Sequence, residues 1–308
     1  MEDKIINLKK KLLAGIPVLM DGGTATELER CGIHICDPEW TAVALLTEQG
    51  RDALLKVHCD YVEAGADIIT ANTFNANPYS VCNFADGRDL DSAELVRDSI
   101  NIAKEAVAMC RQGRSVLIAG SIGPVGDAYI PDSRPDEKIL REDHAAMVDH
   151  LAAAGADLIL VETMNNWMEI EIVSKYCHDR RIPFMVSIVC GEDGLLLNGD
   201  NFTKLADLVD NFSPLAICVN CSSLNITKLA LDRLSLITDL PLGAYPNIED
   251  RLSDRSQSDP KLAVTSYQLS EFIRESVNKF NLSIIGGCCG STPEHIQALR
   301  KLIDENII

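Results

Sequence analysis

Eight short apolar runs, each followed by a longer stretch with helical spacing, recur along the whole of the 308-residue chain. The runs read as strands lie at 18–21, 67–72, 115–121, 157–163, 184–190, 215–220, 242–245 and 282–286. Helical patterns lie at 52–64, 93–110, 141–154, 168–178, 202–211, 226–237, 267–280 and 293–303. Eight strand-to-helix steps are the count that closes a (β/α)8 barrel. An open doubly wound sheet fits less well. No Gly-x-Gly-x-x-Gly follows the first run, so the dinucleotide fingerprint is missing. The segments YVEAGADIITANTF at 61–74 and LAAAGADLILVETM at 151–164 share one design, a helix end, a glycine, Ala-Asp and a strand. The glycine supplies the left-handed residue that stops the helix. The strands are apolar at nearly every position, as strands covered on both faces must be. With no low-complexity linker, residues 1–308 are expected to form a single α/β TIM barrel domain.

Active sites of such barrels lie at the C-terminal ends of the strands. Read off the sequence, those ends carry Asp21-Gly22-Gly23, Asn72-Thr73-Phe74, Ser121 to Pro124, Glu162-Thr163, Cys190-Gly191, Asn220-Cys221, Tyr245-Pro246-Asn247 and Gly286 to Cys289. None of the six histidines falls there, so imidazole acid–base chemistry and a Ser-His-Asp triad are disfavoured. Two long connections, 123–137 and 246–260, overhang the same end; the charged 249–260 stretch reads most simply as a solvated surface insertion.

Eleven cysteines, an odd number without a secretory leader, argue against a disulfide framework. Most read as small buried hydrophobes. Cys221, Cys288 and Cys289 are different, because they stand at strand ends that face each other across a barrel mouth. Two adjacent residues of a regular strand point to opposite faces, so the vicinal pair needs a bent backbone, which Gly286-Gly287 allows. Ser291-Thr292-Pro293 then reads as a helix start behind the sulfurs. Three thiolates with one open position form a catalytic zinc arrangement, whereas structural zinc sites are closed by four ligands. Cys218 could supply a fourth sulfur, but three residues from Cys221 on a strand it should face the other way; three ligands are preferred to four. Asp21 and Glu162 end the first and fourth strands. Each alone could be a loop cap, but together at one mouth they suit an ammonium group. Asn72, Thr73 and Ser121 are the further candidates for substrate contact.

The net charge of −18, from 28 Lys and Arg against 46 Asp and Glu, disfavours nucleic acid and anionic membranes as partners. The N-terminus does not read as a signal peptide and no apolar run approaches a membrane span, so a cytoplasmic protein is expected.

DGGTATELERCG at 21–32, GADIITANTFNAN at 65–77, SIGP at 121–124, ET at 162–163, NC at 220–221 and GGCCGSTPEHI at 286–296 resemble the homocysteine S-methyltransferase family. The resemblance spans about residues 16–300. NTFNAN and GGCCGSTPEHI are most similar to the homocysteine-binding module of cobalamin-dependent methionine synthase, although this chain is too short to add folate and cobalamin modules. The resemblance implies a (β/α)8 barrel, Zn2+ on Cys221, Cys288 and Cys289, and homocysteine as methyl acceptor with its amino group held by Asp21 and Glu162. Betaine-using members carry tyrosines where this chain has Asn75 and Thr163. Trp40 alone is not a cage for a quaternary ammonium, so betaine is disfavoured as donor. A sulfonium such as S-methylmethionine or S-adenosylmethionine is the expected methyl donor, and methionine the product. The alternatives are an acceptor subunit served by a separate methyl-corrinoid protein, and a non-catalytic barrel stapled by zinc. Without substrate, the fourth zinc position falls to Asn247 or to water.

Overall fold

The computed structural model describes residues 2–111, 113–249 and 264–308. The 246–260 connection therefore lies largely outside the described residues. Eight parallel strands form the sheet: β1 (Val18–Leu19), β2 (Ile68–Ala71), β3 (Leu117–Ile122), β4 (Leu158–Met164), β5 (Phe184–Ile188), β6 (Ile217–Asn220), β7 (Leu242–Tyr245) and β8 (Leu282–Ile285). From β2 to β8 each strand pairs with the next in sequence, and β1 pairs with β8. The ring is completed between β1 and β2 by a bridge from Met20 to Ile68, where the Asp21 N–H donates to the Ile68 carbonyl at 3.0 Å. The (β/α)8 barrel expected from the alternation is thus present.

The outer layer consists of α3 (Glu48–Ala64), α5 (Ser92–Cys110), α6 (Glu137–Ala154), α7 (Trp167–Asp179), α8 (Leu205–Phe212), α9 (Leu224–Leu234), α10 (Ser266–Phe280) and α11 (Pro293–Asp304). Helix α3 starts at Thr47, whose side chain accepts the Gly50 N–H, and stops at left-handed Gly65. Gly155 ends α6 in the same way, as the repeated Gly-Ala-Asp sequence predicts. Three further helices were not foreseen: α1 (Glu2–Leu13), α2 (Thr24–Arg30) and α4 (Pro78–Phe84). Helix α1 places Ile5, Leu8 and Leu12 in one buried cluster with Val18, Ile68, Leu117, Leu158 and Ile284, so it closes the N-terminal end of the barrel.

The alternation of each strand decides what the barrel holds. Outward residues such as Ile69, Ile118, Ile159, Val186, Ile217 and Ile285 join the large core beneath the helices. Inward residues are apolar low in the barrel, where Leu158, Leu160, Met185, Ala216 and Cys218 pack together. One or two inward positions further along, the residues become polar: Thr70, Ser121, Glu162, Ser187 and Asn220. The change from apolar to polar within one barrel marks its upper end as the place for chemistry.

Candidate active site

The pocket at the mouth is lined by Asp21, Trp40, Asn72, Phe74, Ser121 and Glu162 together with Cys221, Tyr245, Cys288 and Cys289. The sulfurs of Cys221, Cys288 and Cys289 lie within 4.8 Å of one another, a spacing that can hold a metal ion. Cys218 is outside the cluster. It is fully buried in the barrel interior, directly against Gly243, where an added Cβ would meet its sulfur at 2.4 Å.

Local backbone geometry brings the three sulfurs together. Cys221 leaves β6 in the left-handed region, with φ 48°. The Cys288 amide donates to the Pro246 carbonyl at 2.8 Å, and the Cys289 amide to Asn247 Oδ1 at 3.2 Å. Ser291 closes the turn from the other side, its hydroxyl donating to the Cys288 carbonyl at 2.7 Å and accepting the Gly23 N–H at 2.9 Å. The glycines before the cysteines serve by their smallness: a Cβ on Gly287 would sit 2.6 Å from that of Ser291, and neither Gly286 nor Gly287 takes a positive φ. The left-handed residue is Gly290, at φ 83°. Thr292 caps α11 directly behind, with Pro293 in the first turn as its sequence predicts.

Contact with the other two sulfurs, and then burial, hold the Cys288 thiol well above its ordinary value. Three crowded thiols, of which Cys221 and Cys288 resist ionisation on their own, are the donor set a thiophilic cation would satisfy. A tetrahedral zinc with bonds of about 2.3 Å sets its sulfurs roughly 3.8 Å apart, so the cluster fits such an ion.

The carboxylates have separate supports. Asp21 is buried, and Thr70 donates to both of its oxygens, from the amide at 2.6 Å and from the hydroxyl at 2.9 Å. Burial outweighs those bonds and raises the Asp21 pKa to about 7. Glu162, half-buried, accepts the Ser121 hydroxyl at 2.5 Å and the Tyr245 hydroxyl at 3.5 Å. Its pKa is also raised to about 7, by burial first and by Asp21 and Cys289 after the Ser121 bond is allowed for. Two neutral-leaning carboxyls in one pocket are what a cationic ligand would convert to carboxylates.

The remaining candidates divide. Asn72 lines the pocket while its amide donates to the Thr41 carbonyl at 2.8 Å. Thr73 lies behind the wall, fully buried, exchanging hydrogen bonds of 2.8 and 2.9 Å with the Ser121 backbone. Asn75 bonds the Pro38 carbonyl at 3.0 Å, which ties β2's loop to the turn carrying Trp40; Trp40 and Phe74 meet edge to face at 5.2 Å.

Two residues at the cluster were not singled out from sequence. Tyr129, in the 123–137 connection, directs its hydroxyl to the Cys221 sulfur; burial and the three neighbouring sulfurs hold the phenol well above its ordinary value. The connection is held from behind by buried Glu169, which accepts the Val125 amide at 2.8 Å and faces His144 Nε2 at 2.9 Å, and by Asn165, which donates to the Ala128 carbonyl at 2.8 Å. Thr163, which the sequence places at a strand end and where betaine-using members carry a tyrosine, lies at φ 56° with its hydroxyl 3.6 Å from the Cys221 sulfur. A β-branched residue in that region costs about 1–3 kcal/mol, which surrounding bonds must offset.

Fold and site together define a barrel enzyme with three cysteines able to share one metal at its mouth. Residues 18–303 match the family model of homocysteine S-methyltransferase, and the chain belongs to that family. It is 31% identical to the homocysteine S-methyltransferase of Escherichia coli, over 92% of this chain and 94% of that protein. It is 29% identical to the selenocysteine Se-methyltransferase of Brassica oleracea var. italica, over 92% of this chain and 88% of that one. The crystal structure of the E. coli homocysteine methyltransferase MmuM in its metallated form superposes with a TM-score of 0.78 at 29% identity, covering 93% of this chain and 96% of that chain. Among the described residues, no helix is long and apolar enough to cross a membrane.

Proposed function

We propose that this chain, acting as one barrel domain over residues 1–308, transfers a methyl group from a small sulfonium to the sulfur of homocysteine, giving methionine. The observation that carries this reading is the sharing of one pocket by three clustered sulfurs and two carboxyls. Cys221, Cys288 and Cys289 are the residues that would hold zinc. Bound zinc makes a thiol available as thiolate at neutral pH, where the free group, with pKa about 8.5, is mostly protonated.

The protein's own residues do the rest. Asp21 and Glu162 receive the ammonium of homocysteine, and each is already aimed, by Thr70 and by Ser121. Fixing the amino end leaves the thiol end to reach the cysteine cluster, so the acceptor is oriented at two points. Asn72 closes the wall between them. Trp40 and Phe74 offer aromatic edges and faces to a sulfonium arriving from the loop side, a cation that two rings attract without a full cage. Asn247 already accepts the Cys289 amide; its carbonyl has a second lone pair with which to complete the metal's coordination when substrate is away.

The test is a donor screen with zinc-loaded protein and homocysteine. Methionine formed from S-methylmethionine or S-adenosylmethionine supports the reading. Activity only with a methylated corrinoid protein would replace the donor, and no methionine from any of the three would overturn the reading.

A further inference from the structure

The Cys221 sulfur is served by a hydrogen-bond relay whose direction is set by the backbone. The Thr163 amide donates to Asn220 Oδ1 at 3.1 Å, and the Ser187 hydroxyl donates to the same oxygen at 2.8 Å. An amide N–H can only donate, so the oxygen of Asn220 must face it. The Asn220 NH2 is thereby turned to Thr163 Oγ1, 2.8 Å away, and can only donate there. The Thr163 oxygen is then an acceptor from Asn220, and its single proton is left for the sulfur of Cys221, 3.6 Å away. All the groups in this chain are buried. The left-handed turns at Thr163 and at Cys221 are what bring hydroxyl and sulfur together from strands β4 and β6.

We propose that Thr163, aimed by Asn220, is a positioning residue for Cys221: its hydroxyl donates to this sulfur, orients it toward the cluster and draws off part of its charge when it binds metal. The inference rests on the zinc reading above. Three cysteine thiolates and a substrate thiolate around one divalent cation carry a net charge of −2, and donors to the ligating sulfurs are how a protein spreads such charge. The relay also supplies a reason for threonine at a left-handed position that a β-branched residue otherwise avoids. Serine alone among simple replacements keeps the donor.

The experiment uses the full chain, stripped of metal and reloaded with Co2+ or Zn2+. The sulfur-to-cobalt charge-transfer band reports on the thiolates, and zinc affinity is read by competition with a chromophoric chelator. Thr163→Val and Thr163→Ala should weaken zinc binding roughly ten- to a hundredfold, the usual effect of losing a partner of a metal ligand, and move the band to lower energy. Thr163→Ser should restore both. Asn220→Asp, a carboxylate that can only accept, obliges the hydroxyl to donate the other way. It should shift the band in the Thr163→Val direction and add nothing further in the double variant. A purely structural threonine would lower the melting temperature of all three Thr163 variants and leave the band in place; that result overturns the proposal. So does an independent, additive shift from Asn220→Asp. If the wild type shows no sulfur-to-cobalt band, the metal reading itself fails and the proposal falls with it. A normal wild-type band beside unshifted variants overturns the proposal alone.

Discussion

Thr70 holds Asp21 by both oxygens, with its amide 2.6 Å from Oδ2 and its hydroxyl 2.9 Å from Oδ1. The carboxylate is therefore fixed in direction before any ligand arrives. If it receives the homocysteine ammonium, Asp21→Asn should raise the homocysteine dissociation constant about ten- to a hundredfold, since a hydrogen bond to a charged group contributes about 1.5–3 kcal/mol. Glu162→Gln should act likewise. Mercaptoethanol, which has no amino group, should bind wild type and variants alike. Calorimetric titration of both thiols measures this, and equal losses for the two would remove the ammonium role.

The raised pKa values of about 7 at Asp21 and Glu162 predict a proton count on binding. In the ligand-free protein both carboxyls keep their protons to near neutrality, whereas in the unfolded chain they lose them near pH 4. Their contribution to stability is thus full at low pH and is lost as pH rises toward 7; Asp21→Asn should flatten that fall. An ammonium beside them lowers both values and expels the protons. Titrating methionine, which has no thiol, in buffers of different ionisation heat should show release of roughly one to two protons at pH 6 and much less at pH 8, where the carboxyls are already ionised and the amino group of methionine is still charged. Release that does not change with pH would contradict the pairing.

Metal stoichiometry separates the cysteines. Cys221→Ala, Cys288→Ala and Cys289→Ala should each leave protein with far less than one zinc after desalting, measured by plasma emission. Cys218→Ala should keep its metal, because Cys218 points into the interior below the cluster. Loss of zinc from Cys218→Ala would show a four-sulfur site.

Glu169 predicts a stability effect remote from the pocket. Glu169→Leu strands buried donors on Val125, Asn166 and, in the tautomer that donates, His144. Each stranded donor costs about 1–3 kcal/mol, so thermal unfolding should fall by several degrees. Because the same carboxylate holds the loop of Tyr129, protection of the Val125 amide from hydrogen exchange should fall with it.

The barrel was legible because strand and helix periods alternate eight times, and the three sulfurs because they stand at strand ends. Boundaries were less so. The first strand was read to Asp21 but ends at Leu19, since Met20 makes only a bridge to Ile68. Helix α1 was missed in a lysine-rich leader whose apolar residues are few but sit on one face, at Ile5, Leu8 and Leu12. Helix α4, capped by Asn77 with Pro78 in its first turn, is only about two turns long, too short for its apolar spacing to stand out. The roles of Thr163 and Tyr129 had no local signal. The left-handed threonine is bonded to Asn220 of another strand, and Tyr129 sits in a loop that Glu169 and Asn165 hold from distant parts of the chain.

Packed inward side chains fill the lower half of the barrel, with helix α1 beneath them, so among the described residues the pocket opens at the upper end. In the proposed reaction the acceptor, the donor and both products would then share one doorway. If homocysteine lies beneath the donor, as the proposed roles of Asp21, Glu162 and the cysteine cluster require, homocysteine entering after the donor would find its path blocked, and methionine would have to wait for the demethylated donor to leave. Turnover in such a cul-de-sac would work as a stack: the first molecule in would be the last one out.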